Sequence, residues 1–255
     1  MKKLIVANWK MNPQKGVEAV KLFTAVQKSA TSAKNVETVI CPPLVYVQAL
    51  GERVTSRHCV LGAQDAFWEH AGAYTGQVSP DMVFNARARY VIVGHSERRA
   101  LGETDDIVAK KIKSILQFPL IPILCIGESE RDNDHEYVKR LKHQLRMDLD
   151  GLSADDIGRL VIAYEPVWAI SSSRHGHPCT PAQCREMVQV IKTVLVDLVG
   201  SSEVATSIPI IYGGSVDAEN ASAFLNDGLV DGVLVGRASL DPKEFVKILQ
   251  WAERS

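Results

Sequence analysis

Short runs of apolar residues recur roughly every thirty positions along the chain. They read Leu4-Ile5-Val6-Ala7, Glu37-Thr38-Val39-Ile40, Cys59-Val60-Leu61-Gly62, Tyr90-Val91-Ile92-Val93, Ile121-Pro122-Ile123-Leu124-Cys125, Leu160-Val161-Ile162-Ala163-Tyr164, Ile208-Pro209-Ile210-Ile211 and Gly232-Val233-Leu234-Val235. They do not alternate apolar with polar. Continuous, β-branched runs of this kind suit parallel strands covered on both faces. Between them lie longer amphipathic stretches. Gly16 to Ala30 sets Val17, Val20, Leu22, Phe23 and Val26 near helical spacing, and Thr104 to Leu116 does the same with Ile107, Val108, Ile112 and Ile115. Tyr137 to Leu149 and Pro181 to Val199 are two more, the last entered through Thr180-Pro181, a cap followed by proline at the first helical position.

Eight strand-like runs alternating with helices predict βα units and a parallel sheet. The count of eight and the length near 250 favour a closed (β/α)8 barrel, although periodicity alone also fits an open, doubly wound sheet. No long Pro/Gly/Ser linker divides the chain, so residues 1–255 are expected to form a single domain.

Composition narrows the function. Of 255 residues, 46% are hydrophobic and 23% charged, which is ordinary for a globular chain. A chain of this size buries roughly 70–75% of its unfolded surface and needs no disulfide or metal to hold a core. Twenty-nine basic against thirty acidic residues leave a net charge of −1. That balance provides no field for nucleic acid or an anionic membrane, so any anion must be held by a local site. Four apolar residues between Lys3 and Asn8 are too few for a signal peptide, and the apolar stretch Phe118 to Ile126 is interrupted by Pro119 and Pro122. Five cysteines without a Cys-x-x-Cys predict reduced thiols and a cytoplasmic protein.

In such a barrel the working residues lie just after the strands. Those positions read Asn8-Trp9-Lys10-Met11-Asn12, Gly94-His95-Ser96-Glu97-Arg98-Arg99, Glu165-Pro166-Val167-Trp168-Ala169-Ile170, Tyr212-Gly213-Gly214-Ser215-Val216 and Gly236-Arg237-Ala238-Ser239-Leu240. Glu165 leaves a buried strand and can enter the barrel mouth as a general base, or can be a solvated loop glutamate. His95 can donate to a substrate oxygen or serve as a structural hydrogen-bonder. Lys10 can stabilise an anion or be an ordinary surface charge. Gly213-Gly214-Ser215 leads into Val216-Asp217-Ala218, which reads as a helix start, and Gly236-Arg237 leads into a second short helix. Backbone N–H groups at such ends favour phosphate, although glycines there can simply turn the chain.

Taken together and in order, these five segments resemble the signature loops of the triosephosphate isomerase family. Leu61-Gly62-Ala63-Gln64-Asp65, Gly72-Ala73-Tyr74-Thr75-Gly76 and Leu124-Cys125-Ile126-Gly127-Glu128 match it too, and the resemblance runs from about residue 4 to residue 249. It implies a TIM barrel that interconverts dihydroxyacetone phosphate and D-glyceraldehyde 3-phosphate through an enediolate, without metal or organic cofactor. It further implies Glu165 as general base and His95 as neutral electrophile. Lys10 would stabilise the enediolate, with Asn8 beside it and Glu97 paired to it. Gly214, Ser215, Gly236, Arg237 and Ser171 would hold the phosphate, and Ile170 and Leu234 would close over Glu165 as an apolar clamp. Pro166, Val167 and Trp168 would form the first hinge of a lid that excludes water. The implied partner is a second copy, reached through a protruding loop from Asp65 to Pro80 with Thr75 near its tip and Phe67, Trp68 and Tyr74 as its apolar surface.

Two departures from the family pattern stand out. The lid, Ser171-Ser172-Ser173-Arg174-His175-Gly176-His177-Pro178-Cys179, is about three residues longer than usual and carries serines in place of both glycines. Arg237 stands where many members have a second glycine. The longer lid is expected to preserve catalysis and to alter closure. His175, His177, Cys179 and Cys184 include four donors of the types zinc prefers, at a spacing that matches no standard zinc module. Other phosphate-binding barrels compete less well. An aldolase would want a Schiff-base lysine late in a strand, and an epimerase would want metal ligands at several strand ends. A non-catalytic or lid-impaired barrel acting through protein contacts is the alternative outside enzymes.

Overall fold

The computed structural model describes residues 2–132, 134–170 and 178–255. Eight strands close in sequence order into a barrel: β1 Lys3–Asn8, β2 Val36–Cys41, β3 Cys59–Ala63, β4 Ala88–Val93, β5 Ile121–Ile126, β6 Val161–Tyr164, β7 Ile210–Tyr212 and β8 Gly232–Val235. All neighbouring pairs are parallel, with Ala7 opposite both Ile40 and Val235 at the closure. The helices among the described residues are α1 Gly16–Ala30, α2 Leu44–Gly51, α3 Pro80–Asn85, α4 Ser96–Ala100, α5 Asp105–Ile115, α6 Glu136–Asp148, α7 Ala154–Ile157, α8 Pro181–Val199, α9 Ser202–Ser207, α10 Ala221–Asp227 and α11 Pro242–Arg254. Each of the eight expected runs contains or overlaps a strand. The four expected helices appear as α1, α5, α6 and α8.

A closed barrel explains why the strands read as continuous apolar runs. Alternate side chains face two different cores, and both are dry. Leu4 and Val6, Tyr90 and Ile92, Val161 and Ala163, Ile211 and Leu234 share the barrel interior. Ile5 and Ala7, Val91 and Val93, Ile162 and Tyr164 pack outward against the helices. The inward parity, carried one step beyond these residues, reaches Asn8 on β1, Glu165 after β6, Gly213 after β7 and Gly236 after β8. The two-residue pleat therefore delivers a carboxylate, an amide and two glycines to the same mouth.

The helices are set by local chemistry as well as burial. Thr180 caps α8 by accepting from the Gln183 N–H at 3.2 Å, Gln183 answers by accepting from the Thr180 N–H at 2.9 Å, and Pro181 fills the first helical position. The amphipathic α11 buries Phe245, Ile248, Leu249 and Ala252. Close approach fixes Gly232: a Cβ there would sit 1.8 Å from the Leu4 carbonyl oxygen.

Candidate active site

At the carboxyl end of β6, the Glu165 side chain is 2% exposed. Its Oε2 accepts from the Ser96 N–H at 3.1 Å, so the first turn of α4 holds the carboxylate. Its Oε1 lies 3.2 Å from His95 Nε2. That contact meets the distance of an ion pair but not the geometry of a hydrogen bond, and Oε1 is otherwise without a donor. An unsatisfied oxygen of this kind is poised to take a new partner. Gly213 lies against the same side chain, since a Cβ there would come within 2.9 Å of Glu165 Cγ.

His95 is the N-cap of α4. Its Nδ1 accepts from the Glu97 N–H at 3.1 Å. A ring nitrogen that accepts carries no proton, so a neutral ring in this pose bears its hydrogen on Nε2, the nitrogen that faces Glu165. Glu97 also meets Lys10, with Nζ 2.6 Å from Oε1. Lys10 has φ of 51°, a conformation that disfavours a non-glycine residue. Asn8 Oδ1 holds it by accepting from the Lys10 N–H at 3.0 Å. Gln64 Nε2 adds a second hold, donating to the Lys10 carbonyl at 2.8 Å and to the Cys41 carbonyl at 2.9 Å. The sequence reading assigned no role to Gln64. Its position immediately after the third strand was the available signal, and only the tertiary structure reveals what it touches.

A cleft opens beside this group, lined by Lys10, His95, Ile170, Gly213, Gly214, Ser215, Val216, Leu234, Gly236 and Arg237. The expected phosphate residues other than Ser171 therefore line one cleft, together with both members of the apolar clamp. Glu165 lines an adjoining cavity with Ser96 and Gly127. It touches His95 but does not face the cleft in this pose, so a rotation of its side chain is needed for it to reach a molecule bound there.

One local expectation is corrected. No helix starts at Val216. Residues 218–220 form a turn, and α10 begins at Ala221. Asp217 Oδ1 accepts from the N–H groups of Glu219 and Asn220 at 2.9 and 3.0 Å, which diverts the backbone into a side-chain-closed turn. Asn220 Nδ2 then donates to the Ser215 carbonyl at 3.0 Å, fixing the loop. The second expectation holds, since Arg237–Leu240 forms one turn of 3-10 helix. Arg237 is exposed, and Ser239 Oγ ties the Gly236 carbonyl at 2.6 Å.

The first hinge rests on Glu128, buried beneath it. Glu128 Oε1 accepts from Tyr164 Oη at 2.8 Å, Trp168 Nε1 at 2.8 Å and Arg131 Nε at 3.1 Å. The Arg131 guanidinium also lies over the Trp168 ring, 5.1 Å from its centroid. The sequence reading quoted Glu128 within a motif without giving it a role. Ser171, Arg174, His175 and His177 lie outside the described residues. Among the described residues no group of three or more His, Cys, Asp or Glu side chains is arranged to hold a metal. All five cysteines are free and buried, and burial pushes the Cys179 thiol up to about 11. No described helix is long and apolar enough to cross a membrane.

The sequence profile of the family described as Triosephosphate isomerase matches residues 3–252. Proteins named Triosephosphate isomerase are similar over nearly the whole chain. That of Roseiflexus castenholzii is 40% identical over 250 residues, covering 97% of this chain and 96% of its own. That of Caldanaerobacter subterraneus subsp. tengcongensis is 41% identical over 251 residues, covering 97% and 98%. That of Dictyoglomus thermophilum is 39% identical over 256 residues, covering 98% and 99%.

Proposed function

Because this chain belongs to the triosephosphate isomerase family, we infer that it is the isomerase that interconverts dihydroxyacetone phosphate and D-glyceraldehyde 3-phosphate, serving glycolysis and gluconeogenesis. The observation that carries the reading is the meeting of Glu165 and His95, 3.2 Å apart at the ends of two different strands, beside Lys10 and a glycine-lined cleft.

Glu165 takes a proton from the carbon beside the substrate carbonyl, and the electron pair moves onto the carbonyl oxygen. His95 Nε2 donates a hydrogen bond to that oxygen, and Lys10 stabilises the charge of the resulting enediolate. Return of the proton to the neighbouring carbon, with the hydroxyl hydrogen relocated between the oxygens, completes the exchange. Atoms balance without oxidant, metal or organic cofactor. The N–H groups of Gly214, Ser215, Gly236 and Arg237 hold the phosphate, the Arg237 guanidinium adds positive charge, and Ser171 contributes an N–H from the lid. Ile170 and Leu234 cover Glu165 once it rotates into the cleft, while Pro166 and Trp168 anchor the lid that keeps water from the enediolate.

A coupled assay with D-glyceraldehyde 3-phosphate tests this reading. The parent protein turns over, and Glu165→Gln loses roughly 10²–10⁴-fold in kcat. A parental kcat in E165Q would overturn the assignment of the base.

The same reading makes the whole chain one barrel domain and places it in the cytoplasm, where free thiols persist. It also pairs the chain with a second copy. Met11, Val45, Met82 and Leu101 are 83%, 80%, 57% and 83% exposed. They follow β1, β2, β3 and β4, so they fall on one side of the barrel mouth. Within the Asp65–Pro80 loop the Phe67 ring packs at a tilt against Trp68 and Tyr74, 4.0 and 4.8 Å between centroids, and Thr75 is exposed. Exposed large apolar residues of this kind support a homodimer interface. Light scattering of the parent and of Thr75→Arg tests it: the parent is expected at twice the chain mass and T75R at the chain mass.

A further inference from the structure

Beneath the loop that carries His95 lies a charge cluster that the proposed mechanism does not use. Arg99, on α4, points its guanidinium back under Gly94. Its Nε donates to the Gly94 carbonyl at 2.7 Å, and its Nη2 approaches the Cys125 carbonyl at 3.5 Å. One residue thereby ties the exit of β4, which presents His95, to the exit of β5, whose Ile126 carbonyl accepts from the Glu165 N–H at 2.8 Å. Gly94 makes room for this: it has φ of 67°, and a Cβ there would come within 2.8 Å of Arg99 Nη2. Two carboxylates hold the other edge of the guanidinium. Asp105, at the start of α5, accepts from Nη1, and Asp148, at the end of α6, accepts from Nη2 at 2.6 Å.

Asp148 is the unusual member. Its side chain is fully buried, and its Oδ1 has no hydrogen-bond partner. A buried carboxylate with an orphaned oxygen is expensive, and an apolar residue would suit a helix end packed on the barrel better. We propose that Asp148 is a positioning residue for the isomerisation, gripping Arg99 so that the guanidinium holds the Gly94–His95 loop at a fixed distance from Glu165. The inference rests on the reading of His95 and Glu165 given above.

The charged groups facing Asp148 are Arg99 from α4 and Asp105 from α5, and β5 offers only the Cys125 carbonyl to the same guanidinium. Burial pushes the Asp148 carboxyl up to about 8, Arg99 opposes this, and Asp105 reinforces it. Ionisation of Asp148 near neutrality therefore completes the grip, and protonation loosens it.

The test is the pH profile of kcat in the parent and in Asp148→Asn, with the coupled assay and both proteins shown folded by their melting curves. The ratio of parental to D148N kcat is expected to rise from near one, about one unit below pH 8, to on the order of tenfold about one unit above it, at unchanged KM. Superimposable profiles, or a change confined to KM, overturn the proposal. If D148N does not fold, Arg99→Lys carries the test. It keeps the charge but cannot reach Gly94 and both carboxylates together, so kcat falls at unchanged KM if Arg99 positions His95, and a parental kcat overturns the idea. Failure of E165Q to lose activity strikes at the mechanism itself, whereas a parental profile in D148N with an inactive E165Q removes only the positioning role.

Discussion

Replacing Glu128 with alanine removes one acceptor from three donors at once: Tyr164 Oη, Trp168 Nε1 and Arg131 Nε, at 2.8, 2.8 and 3.1 Å. Glu128 itself is 3% exposed, and water has little access to replace it. An orphaned buried donor costs about 1–3 kcal/mol, and the Arg131 contact is charge-assisted. Arg131 is the most able of the three to find solvent or Glu186, 3.4 Å from its Nη1, so its loss counts least. One fully buried donor, Tyr164, one half-buried donor, Trp168, and a partly compensated cation give a destabilisation of roughly 3–6 kcal/mol. For a chain of this length each kcal/mol lowers Tm by about 2–4 °C, so Tm should fall by roughly 6–24 °C. Glu128→Gln retains an acceptor for Tyr164 and Trp168 and loses mainly the charge, so it should lose about 1–3 kcal/mol. Calorimetry with urea titration separates the two, and the coupled assay reads the hinge. Both variants weaken the hold of Glu128 on Trp168 to different extents, so kcat should fall in the order parent, E128Q, E128A. An E128A protein melting within about 2 °C of the parent would refute the reasoning, because it would mean that the three donors find other partners without cost.

Other expectations follow from close approaches and buried charge. Gly213→Ala puts a Cβ 2.9 Å from Glu165 Cγ, which a flexible side chain can escape. The fold should persist while kcat drops roughly 10–100-fold, read by kinetics beside a melting curve. Gly127→Ala puts a Cβ 1.7 Å from the Glu165 carbonyl oxygen, which backbone cannot yield, so expression should give no folded protein by circular dichroism. Gln64→Ala removes the donor to the Lys10 carbonyl and the donor to the Cys41 carbonyl, and kcat/KM should fall about tenfold as Lys10 leaves its strained conformation, with a stability loss near 1–2 kcal/mol by urea titration. Asp148 is raised in the folded protein from 3.8 to about 8, so the folded form binds the extra proton between those values. Its contribution to stability is therefore complete below the lower value and lost as pH rises through the upper one. Urea unfolding on either side of pH 8 should show the parent losing more stability with rising pH than D148N does.

The barrel was legible because its strands are dry on both faces and its helices on one. Those two burial patterns leave different periods in the chain, and Leu4–Ala7 or Gly16–Ala30 can be read without knowing any neighbour. The cap at Thr180-Pro181 was legible for the same reason, since it acts within one turn. The helix expected at Val216 was misread because Asp217 and Asn220 close a turn with their side chains, a competition that composition alone does not resolve. The candidate site was legible as residue types after strands. Its geometry was not, because Asn8, Gln64, His95 and Glu165 meet only when eight strands close into a ring, and contacts between residues 69 positions apart leave no local period. Sequence alone determined which side chains stand at the strand exits. Tertiary structure decided that Glu165 leans on Ser96 and His95 rather than facing the cleft, that Gln64 seats Lys10, and that a buried Asp148 pairs with Arg99 beneath the His95 loop, because each of these depends on distances set by barrel closure and not by neighbours in the chain.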